Sequence, residues 1–101
     1  MIVTDEKLLK TFRMKERCEW CHKSVFRCEP HHVFARGMGG GGRLDVAINL
    51  IGLCPDCHRD HHQGRTPQKF DLLAVVAARE GRLQIDIESE IAQLRRKRGR
   101  K

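Results

Sequence analysis

The sequence predicts a small α+β domain, in which two short strands and a helix form a core with further helices at both ends. Three observations support this fold class. Two Cys-x-x-Cys pairs are separated by 32 residues. Short apolar runs flank a glycine-rich segment, and helical spacing of apolar residues recurs near both ends. A chain of 101 residues buries only a modest core, so a structural metal would supply stability that the core lacks.

The first element is a short amphipathic helix over residues 5–14. Leu8, Leu9 and Phe12 have helical spacing, and Thr4 or Asp5 can cap the helix. The helix should pack against the core and lead into a tight turn at the first cysteine pair.

Two strands should follow, because apolar and β-branched residues recur in short runs. Residues 25–28 and 31–35 form runs that are separated by Pro30, and residues 48–53 form another. We expect these runs to pair in antiparallel fashion across a loop at residues 37–42, which contains five glycines.

A helix should begin directly after the second strand. Pro55 suits the first turn of a helix and Asp56 adds a carboxylate there, so a helix is expected from Asp56 to about His62, ending near Gly64.

Two more helices are expected in the last third of the chain. After Thr66-Pro67, an apolar helix that includes Phe70 should end at Gly81, and a last helix carries Ile87, Ile91 and Leu94 on one face. Core packing is the expected role of both helices, with a dimer interface as the alternative. The interpretation is a single domain over residues 1–94, with a motif core at 18–64, C-terminal helices at about 67–94 and a basic tail at 95–101.

The charge of the chain points to a polyanionic partner. The net charge is +7, and six positive charges lie in the last seven residues. Such a segment can bind phosphates through Arg95, Arg96, Lys97 and Arg98. The sequence contains no signal-peptide pattern and no membrane-spanning run, so we expect a cytoplasmic protein without a membrane partner.

The four paired cysteines, Cys18, Cys21, Cys54 and Cys57, predict a metal site. In a reducing compartment thiolate ligation is more common than disulfide formation. Four thiolates in two such turns are typical of a closed tetrahedral Zn²⁺ site. The fifth cysteine, Cys28, should be a buried apolar residue.

Other interpretations of the cysteines remain open at this point. They could be buried free thiols or a redox pair. Both turns also read Cys-x-x-Cys-His, through His22 and His58, which is the attachment signature of c-type haem.

Three motifs occur in a fixed order: Glu-Pro-His-His-Val at 29–33, Asn-Leu at 49–50 and Cys-Pro-Asp-Cys-His at 54–58. Together they resemble the HNH nuclease family, and the resemblance covers roughly residues 18–64. It implies a ββα-metal fold, here stapled by the four-cysteine zinc, and a second, catalytic metal.

The resemblance also implies roles for individual residues. His31 is expected to bind the catalytic metal and His32 to act as general base on water. Asn49 would either fix the strand geometry or orient His32. His58 and, four residues on, His62 would complete the metal site, which should take Mg²⁺ or Mn²⁺, with Ni²⁺ or Co²⁺ as alternatives.

Residues around these motifs receive less specific expectations. His61 and His22 should be solvent-facing, with His61 as the alternative to His62 for completing the catalytic metal site. Arg36, Arg43 and Arg59 could contact the scissile phosphate. Glu29 should pair with an arginine, or else accept a hydrogen bond from His31. The glycine segment lacks the Gly-Lys-Ser/Thr ending of a nucleotide-binding loop, so no small-molecule cofactor is expected.

The function implied is that of a metal-dependent DNA endonuclease. The protein should be a monomer or a weak homodimer. One such site cuts one strand, so a monomer should nick DNA with low sequence specificity, and a dimer would be needed for paired cuts. The alternative is a non-catalytic, zinc-stabilised module that binds nucleic acid.

Overall fold

Two antiparallel strands and four helices make up the part of the chain that the structure describes. The structure is a computed structural model that describes residues 4–34 and 44–99, without the side chains of residues 95–99. The elements, in chain order, are α1 (Glu6–Arg13), β1 (Glu29–His32), a 3₁₀ turn (Ala47–Asn49), β2 (Leu50–Leu53), α2 (Pro55–His62), α3 (Lys69–Glu80) and α4 (Gln84–Gly99). The predicted α+β class is confirmed at this level.

The two strands pair with a register that sets the positions of the motif residues. His31 lies opposite Ile51, and His32 lies opposite Leu50. Pro30 lies inside β1, opposite Gly52, so the expectation that it separates two strand runs is wrong. A proline lacks the amide hydrogen, but an edge strand tolerates this, and both strands of a two-stranded sheet are edges.

The segment before β1 also differs from expectation. Residues 25–28 are not part of a regular strand; the pairing nearest to them is an isolated bridge between Arg17 and Ser24. This bridge closes the loop that carries the first cysteine pair.

Helix α1 confirms the predicted N-terminal helix and its cap. The side chain of Asp5 accepts a hydrogen bond from the backbone amide of Leu8, which satisfies one of the amides left free at a helix start. Leu9 and Phe12 are buried and pack with Leu50 of β2.

Helices α3 and α4 cover the remaining apolar surface. Fully buried side chains of α3 and α4 pack with those of β2, namely Leu72, Leu73, Val76, Ile87, Ile91, Ile51 and Leu53. Gly81 ends α3 in the left-handed conformation, with φ of 66°, as predicted. Phe70 does not join this core, since it is 62% exposed.

The last helix continues beyond its predicted end near Leu94. The backbone of α4 is helical through Gly99, so five residues of the predicted tail extend this helix. No helix among the described residues is both long and apolar enough to cross a membrane.

Candidate metal centres

The two cysteine pairs converge on one point. The sulfur atoms of Cys18, Cys21, Cys54 and Cys57 all lie within 4.8 Å of one another, and those of Cys21 and Cys54 are 3.8 Å apart. Three of the four residues are buried and Cys21 is exposed. Four sulfurs at this spacing are the donor set of a structural zinc site, whereas two haem attachments would each need a separate pair.

Both cysteine turns have the same local geometry. The amide of Cys21 donates to the sulfur of Cys18 over 3.5 Å, and the amide of Cys57 donates to the sulfur of Cys54 over 3.4 Å. Hydrogen bonds of this kind favour the thiolate, which is the form that binds a metal. His22 closes the first turn with φ of 66°.

The sulfurs differ in how readily they ionise. Burial raises the pKa of Cys18, but backbone hydrogen bonds, led by that from Cys21, outweigh it and lower the pKa to about 7. Burial, followed by the nearby sulfurs of Cys54 and Cys21, raises the pKa of Cys57. Four sulfurs this close can all ionise only if a cation balances their charge, so the cluster fits a metal ion.

Cys28 lies outside this cluster, as predicted. Its thiol donates to the backbone carbonyl of Arg17 over 3.3 Å, and burial raises its pKa to about 11. A protonated, buried thiol of this kind is a packing residue and is not a metal ligand.

Three histidines form a second cluster. Ring nitrogens of His31, His58 and His62 lie within 4.8 Å of one another. His31 comes from β1, while His58 and His62 are four residues apart on α2 and therefore share a face. The Nε2 atoms of His58 and His62 are 3.1 Å apart.

His31 supplies the strongest indication that this cluster could hold a cation. Its Nε2 atom is buried and has no hydrogen-bond partner among the described residues, a state that costs about 1 to 3 kcal/mol when nothing binds the atom. Burial, and then the neighbouring imidazoles led by His61, lower the pKa of His31 to about 3. The ring is therefore neutral at physiological pH and presents a free electron pair.

The nature of the donors bears on which metal fits. All three are imidazole nitrogens, which suit Zn²⁺, Ni²⁺ and related transition metals, whereas Mg²⁺ prefers oxygen ligands. The geometry therefore gives no support to the expected Mg²⁺ or Mn²⁺ over Ni²⁺ or Co²⁺.

Glu29 orients one member of the cluster. Its carboxylate accepts a hydrogen bond from Nδ1 of His58 over 2.7 Å, which leaves Nε2 of His58 directed to the other ring nitrogens. The expected partners of Glu29, an arginine or His31, are both wrong. Carboxylates that hold the second nitrogen of a histidine in this way are usual at metal sites.

His61 lies beside the cluster and is not one of its three members. Its Nδ1 is 2.9 Å from the carbonyl oxygen of Pro67, and its ring packs against that of His31 with a centroid distance of 4.5 Å. His61 is half-buried, so its predicted solvent-facing position is only partly correct. His22 is exposed, as predicted.

His32 has a partner that the sequence did not indicate. Its Nε2 is 2.7 Å from a carboxylate oxygen of Asp45, whose side chain is completely buried. The other oxygen of Asp45 accepts a hydrogen bond from the backbone amide of Asp5 over 2.8 Å. The available signal was a single acidic residue between Leu44 and Val46, just before Asn49.

Asn49 performs only one of its two expected roles. Its buried side-chain amide accepts a hydrogen bond from the backbone amide of Phe34 and donates to the carbonyl oxygens of Leu44 and Phe34. These bonds fix the chain on both sides of the loop. None of the hydrogen bonds found for this side chain in the described chain reaches His32, which is oriented by Asp45 instead.

Most of the side chains predicted to contact phosphate lie outside the part of the chain that the structure describes. Arg59 is exposed and lies 3.3 Å from the carboxylate of Asp56, so its charge is partly balanced on the surface. Arg36 and Arg43 lie outside the described residues, as do the side chains of Arg95, Arg96, Lys97 and Arg98.

Comparisons with protein-family models, with curated proteins and with solved structures found no match to this chain.

Proposed function

We propose that this chain is a metal-dependent DNA endonuclease of the HNH type. Two observations carry the proposal together: ring nitrogens of His31, His58 and His62 converge, and Nε2 of His31 is buried without a hydrogen-bond partner among the described residues. Next to His31 along β1, His32 is half-buried and held by a carboxylate. A site for a cation beside an oriented imidazole is what hydrolysis of a phosphodiester requires.

The order of elements supports the same proposal. Two antiparallel strands and a helix carry the residues in the order that the resemblance to HNH nucleases implies: His31 and His32 on β1, Asn49 before β2, and His58 and His62 on α2. The cysteine cluster fixes the first turn of α2, so a zinc ion there would hold His58 in place.

The chemistry follows from the residues of the site. A divalent cation bound by the three histidines would offset the negative charge that develops on the phosphoryl oxygens and on the leaving oxygen. His32 accepts a proton from water, and the water oxygen bonds to phosphorus while the bond from phosphorus to O3′ breaks. The electron pair stays on O3′, which takes a proton from solvent, and His32 returns its proton to solvent. The products carry a 5′ phosphate and a 3′ hydroxyl.

DNA is the substrate proposed because the chain carries a net charge of +7. Such a charge attracts the phosphate backbone irrespective of sequence. A single site cuts one strand, so the expected product from supercoiled plasmid is the nicked circle.

Plasmid relaxation tests the proposal directly. Protein purified with zinc is incubated with supercoiled plasmid and Mg²⁺, Mn²⁺, Ni²⁺ or Co²⁺ in separate reactions. We expect nicking, and a loss of about 10²- to 10⁴-fold in the His32→Ala variant, because a general base contributes about that factor.

The matched control is His22→Asn. His22 is exposed and outside both clusters, and asparagine tolerates its left-handed backbone, so this variant should nick like wild type. Binding of DNA without relaxation under all four metals would establish the non-catalytic alternative instead. Undiminished relaxation by His32→Ala would defeat the proposal, because the cleavage would then not depend on the proposed base.

A further inference from the structure

We infer that Asp45 is a positioning residue for the general base, and that it makes Nδ1 of His32 the nitrogen that takes the proton from water. The catalytic part of this inference rests on the proposed function. The tautomer of His32 is a property of the folded chain and can be measured separately.

The contact between the two side chains determines the tautomer. A carboxylate can only accept hydrogen bonds, and a neutral imidazole has one N–H and one free electron pair. Because Asp45 lies 2.7 Å from Nε2 of His32, the hydrogen is on Nε2. Nδ1 is then left with the electron pair that a base needs.

The position of Asp45 is itself fixed from several directions. Its second oxygen accepts from the amide of Asp5, the residue that caps α1. The carbonyl of the preceding residue, Leu44, accepts from the side-chain amide of Asn49. The start of α1 and the turn before β2 therefore hold the carboxylate, and the carboxylate holds the ring.

Burial makes the contact more effective. The side chain of Asp45 is 0% exposed and that of His32 is 23% exposed, so the carboxylate is shielded from water while the imidazole is partly exposed. The contact of 2.7 Å holds the ring in one orientation. A carboxylate that orients a catalytic histidine in hydrolases acts in the same way.

The first test reads the tautomer by ¹⁵N NMR of the histidine rings, in full-length zinc-loaded protein at a pH where His32 is neutral. The His32 signals are assigned by their loss in His32→Gln. We expect a protonated Nε2 and an unprotonated Nδ1. A ring protonated on Nδ1 would overturn the inference whether or not the protein cleaves DNA.

The second test is Asp45→Asn, compared with Asp56→Asn on the surface of α2. The amide of asparagine can donate to Nε2, so we expect a shift of His32 toward the Nδ1–H tautomer. In plasmid nicking, kcat should fall about 10²- to 10⁴-fold with KM within about twofold of wild type. Asp56→Asn should leave the tautomer and both constants unchanged.

The outcomes separate the two proposals. If wild type does not cleave, the proposed function fails, and the wild-type tautomer alone decides on Asp45. If wild type cleaves and Asp45→Asn cleaves equally fast with an unchanged tautomer, Asp45 has no positioning role. If Asp45→Asn folds poorly, the wild-type spectrum still tests the inference, because that spectrum does not depend on the variant.

Discussion

The histidines near the strands differ in what one of their ring nitrogens contacts. Nδ1 of His58 is bonded to Glu29, and Nδ1 of His61 faces the carbonyl of Pro67. Nε2 of His32 is bonded to Asp45, whereas Nε2 of His31 has no hydrogen-bond partner in the described chain. A neutral imidazole has one donor and one acceptor, so the nitrogen that contacts a partner determines which nitrogen is left to act. On this basis His31 and His58 are candidate metal ligands and His32 is the candidate base.

The contact of Glu29 predicts an effect on metal affinity. In Glu29→Gln the hydrogen bond to His58 loses its charge, so we expect metal binding at the histidine cluster to weaken about 10- to 100-fold. Calorimetric titration of zinc-loaded protein with Ni²⁺ measures this. Glu90→Gln, which alters the ion pair between Glu90 of α4 and Arg82 in the turn before α4, is the control. Equal affinities in the two variants would contradict the role of Glu29.

The cysteines predict a sharp difference between two substitutions. Cys54→Ser removes one of four converging sulfurs, so bound zinc and cooperative unfolding should be lost together. Cys28→Ala lies outside the cluster and should keep the zinc content of wild type, at a cost of about 1 to 2 kcal/mol in stability because packing around the thiol is removed. Metal analysis measures the zinc content of each variant, and thermal unfolding measures its stability. A full zinc content in Cys54→Ser would show that the cysteines do not form the site.

The thiol of Cys28 also predicts a loss of stability at alkaline pH. Burial raises its pKa from 9.0 to about 11 in the folded chain. The unfolded chain therefore releases this proton first, so the free energy of unfolding falls as pH rises from about 9 toward 11, by roughly 2 to 3 kcal/mol in all. Urea unfolding of wild type and Cys28→Ala over this range isolates the effect. The contribution of Cys28 is refuted if both proteins lose stability in parallel.

At the scale of elements, the sheet and the first cysteine turn are joined through Gly52 and Glu19. The amide of Glu19 donates to the carbonyl of Gly52, and the amide of Gly52 donates to the carboxylate of Glu19. Arg79 of α3 donates to the same carboxylate over 2.9 Å and to the carbonyl of Leu50 over 3.0 Å. The cysteine turn, β2 and α3 are thus fixed relative to one another.

Gly52→Ala should disturb this junction. An added Cβ would lie 3.3 Å from Cβ of Cys28 and 3.4 Å from the carbonyl oxygen of Phe12, neither of which can move freely, and 3.1 Å from the flexible Lys15 side chain. We expect a loss of about 1 to 3 kcal/mol in unfolding free energy, with zinc content retained. Chemical denaturation measures this loss of stability. If the midpoint and the slope of the unfolding curve were unchanged, the junction would have room for a methyl group.

The sequence predicted elements that depend on local signals and missed features that depend on tertiary contacts. The caps at Asp5 and Gly81 and the proline that opens α2 are local, and those helices lie where expected. Pro30 was misjudged because its place in a strand depends on pairing with Gly52. The spacing of the cysteines indicated their cluster, and the resemblance to HNH nucleases implied the histidine cluster. The partners of Glu29 and Asp45 follow instead from the strand register and from the position of α1.

At the scale of the whole molecule, charge is distributed unevenly. Several basic side chains of the described chain lie close to carboxylates: Lys23 and Arg59 to Asp56, Arg65 to Asp60, and Arg82 to Glu90. The last seven residues carry six positive charges and no acidic residue. Under the proposal that the chain acts on DNA, this end is therefore the part best suited to bind it without regard to sequence.

Replacement of residues 95–101 by a neutral Gly/Ser segment of equal length tests this. Affinity for a labelled duplex should fall, and the slope of log K against log salt should flatten by roughly 0.9 for each phosphate that the chain no longer neutralises. Fluorescence anisotropy over a salt series measures the slope. Nicking at saturating DNA should persist, because the histidine cluster is intact. An unaltered slope would mean that DNA binds elsewhere on the molecule.

Helix α2 implies an order of assembly. It has eight residues, too few for a helix to be stable in isolation, and both clusters draw on it: Cys54 and Cys57 at its start, His58 and His62 further along. A metal at the cysteines would secure the first turn and so bring the two imidazoles into register with His31. Zinc binding at the cysteines should therefore precede metal binding at the histidines and make it possible. A chelator strong enough to remove the zinc from the cysteines should abolish both sites. Removal of the metal from the histidine site alone should leave the chain folded and able to bind metal there again.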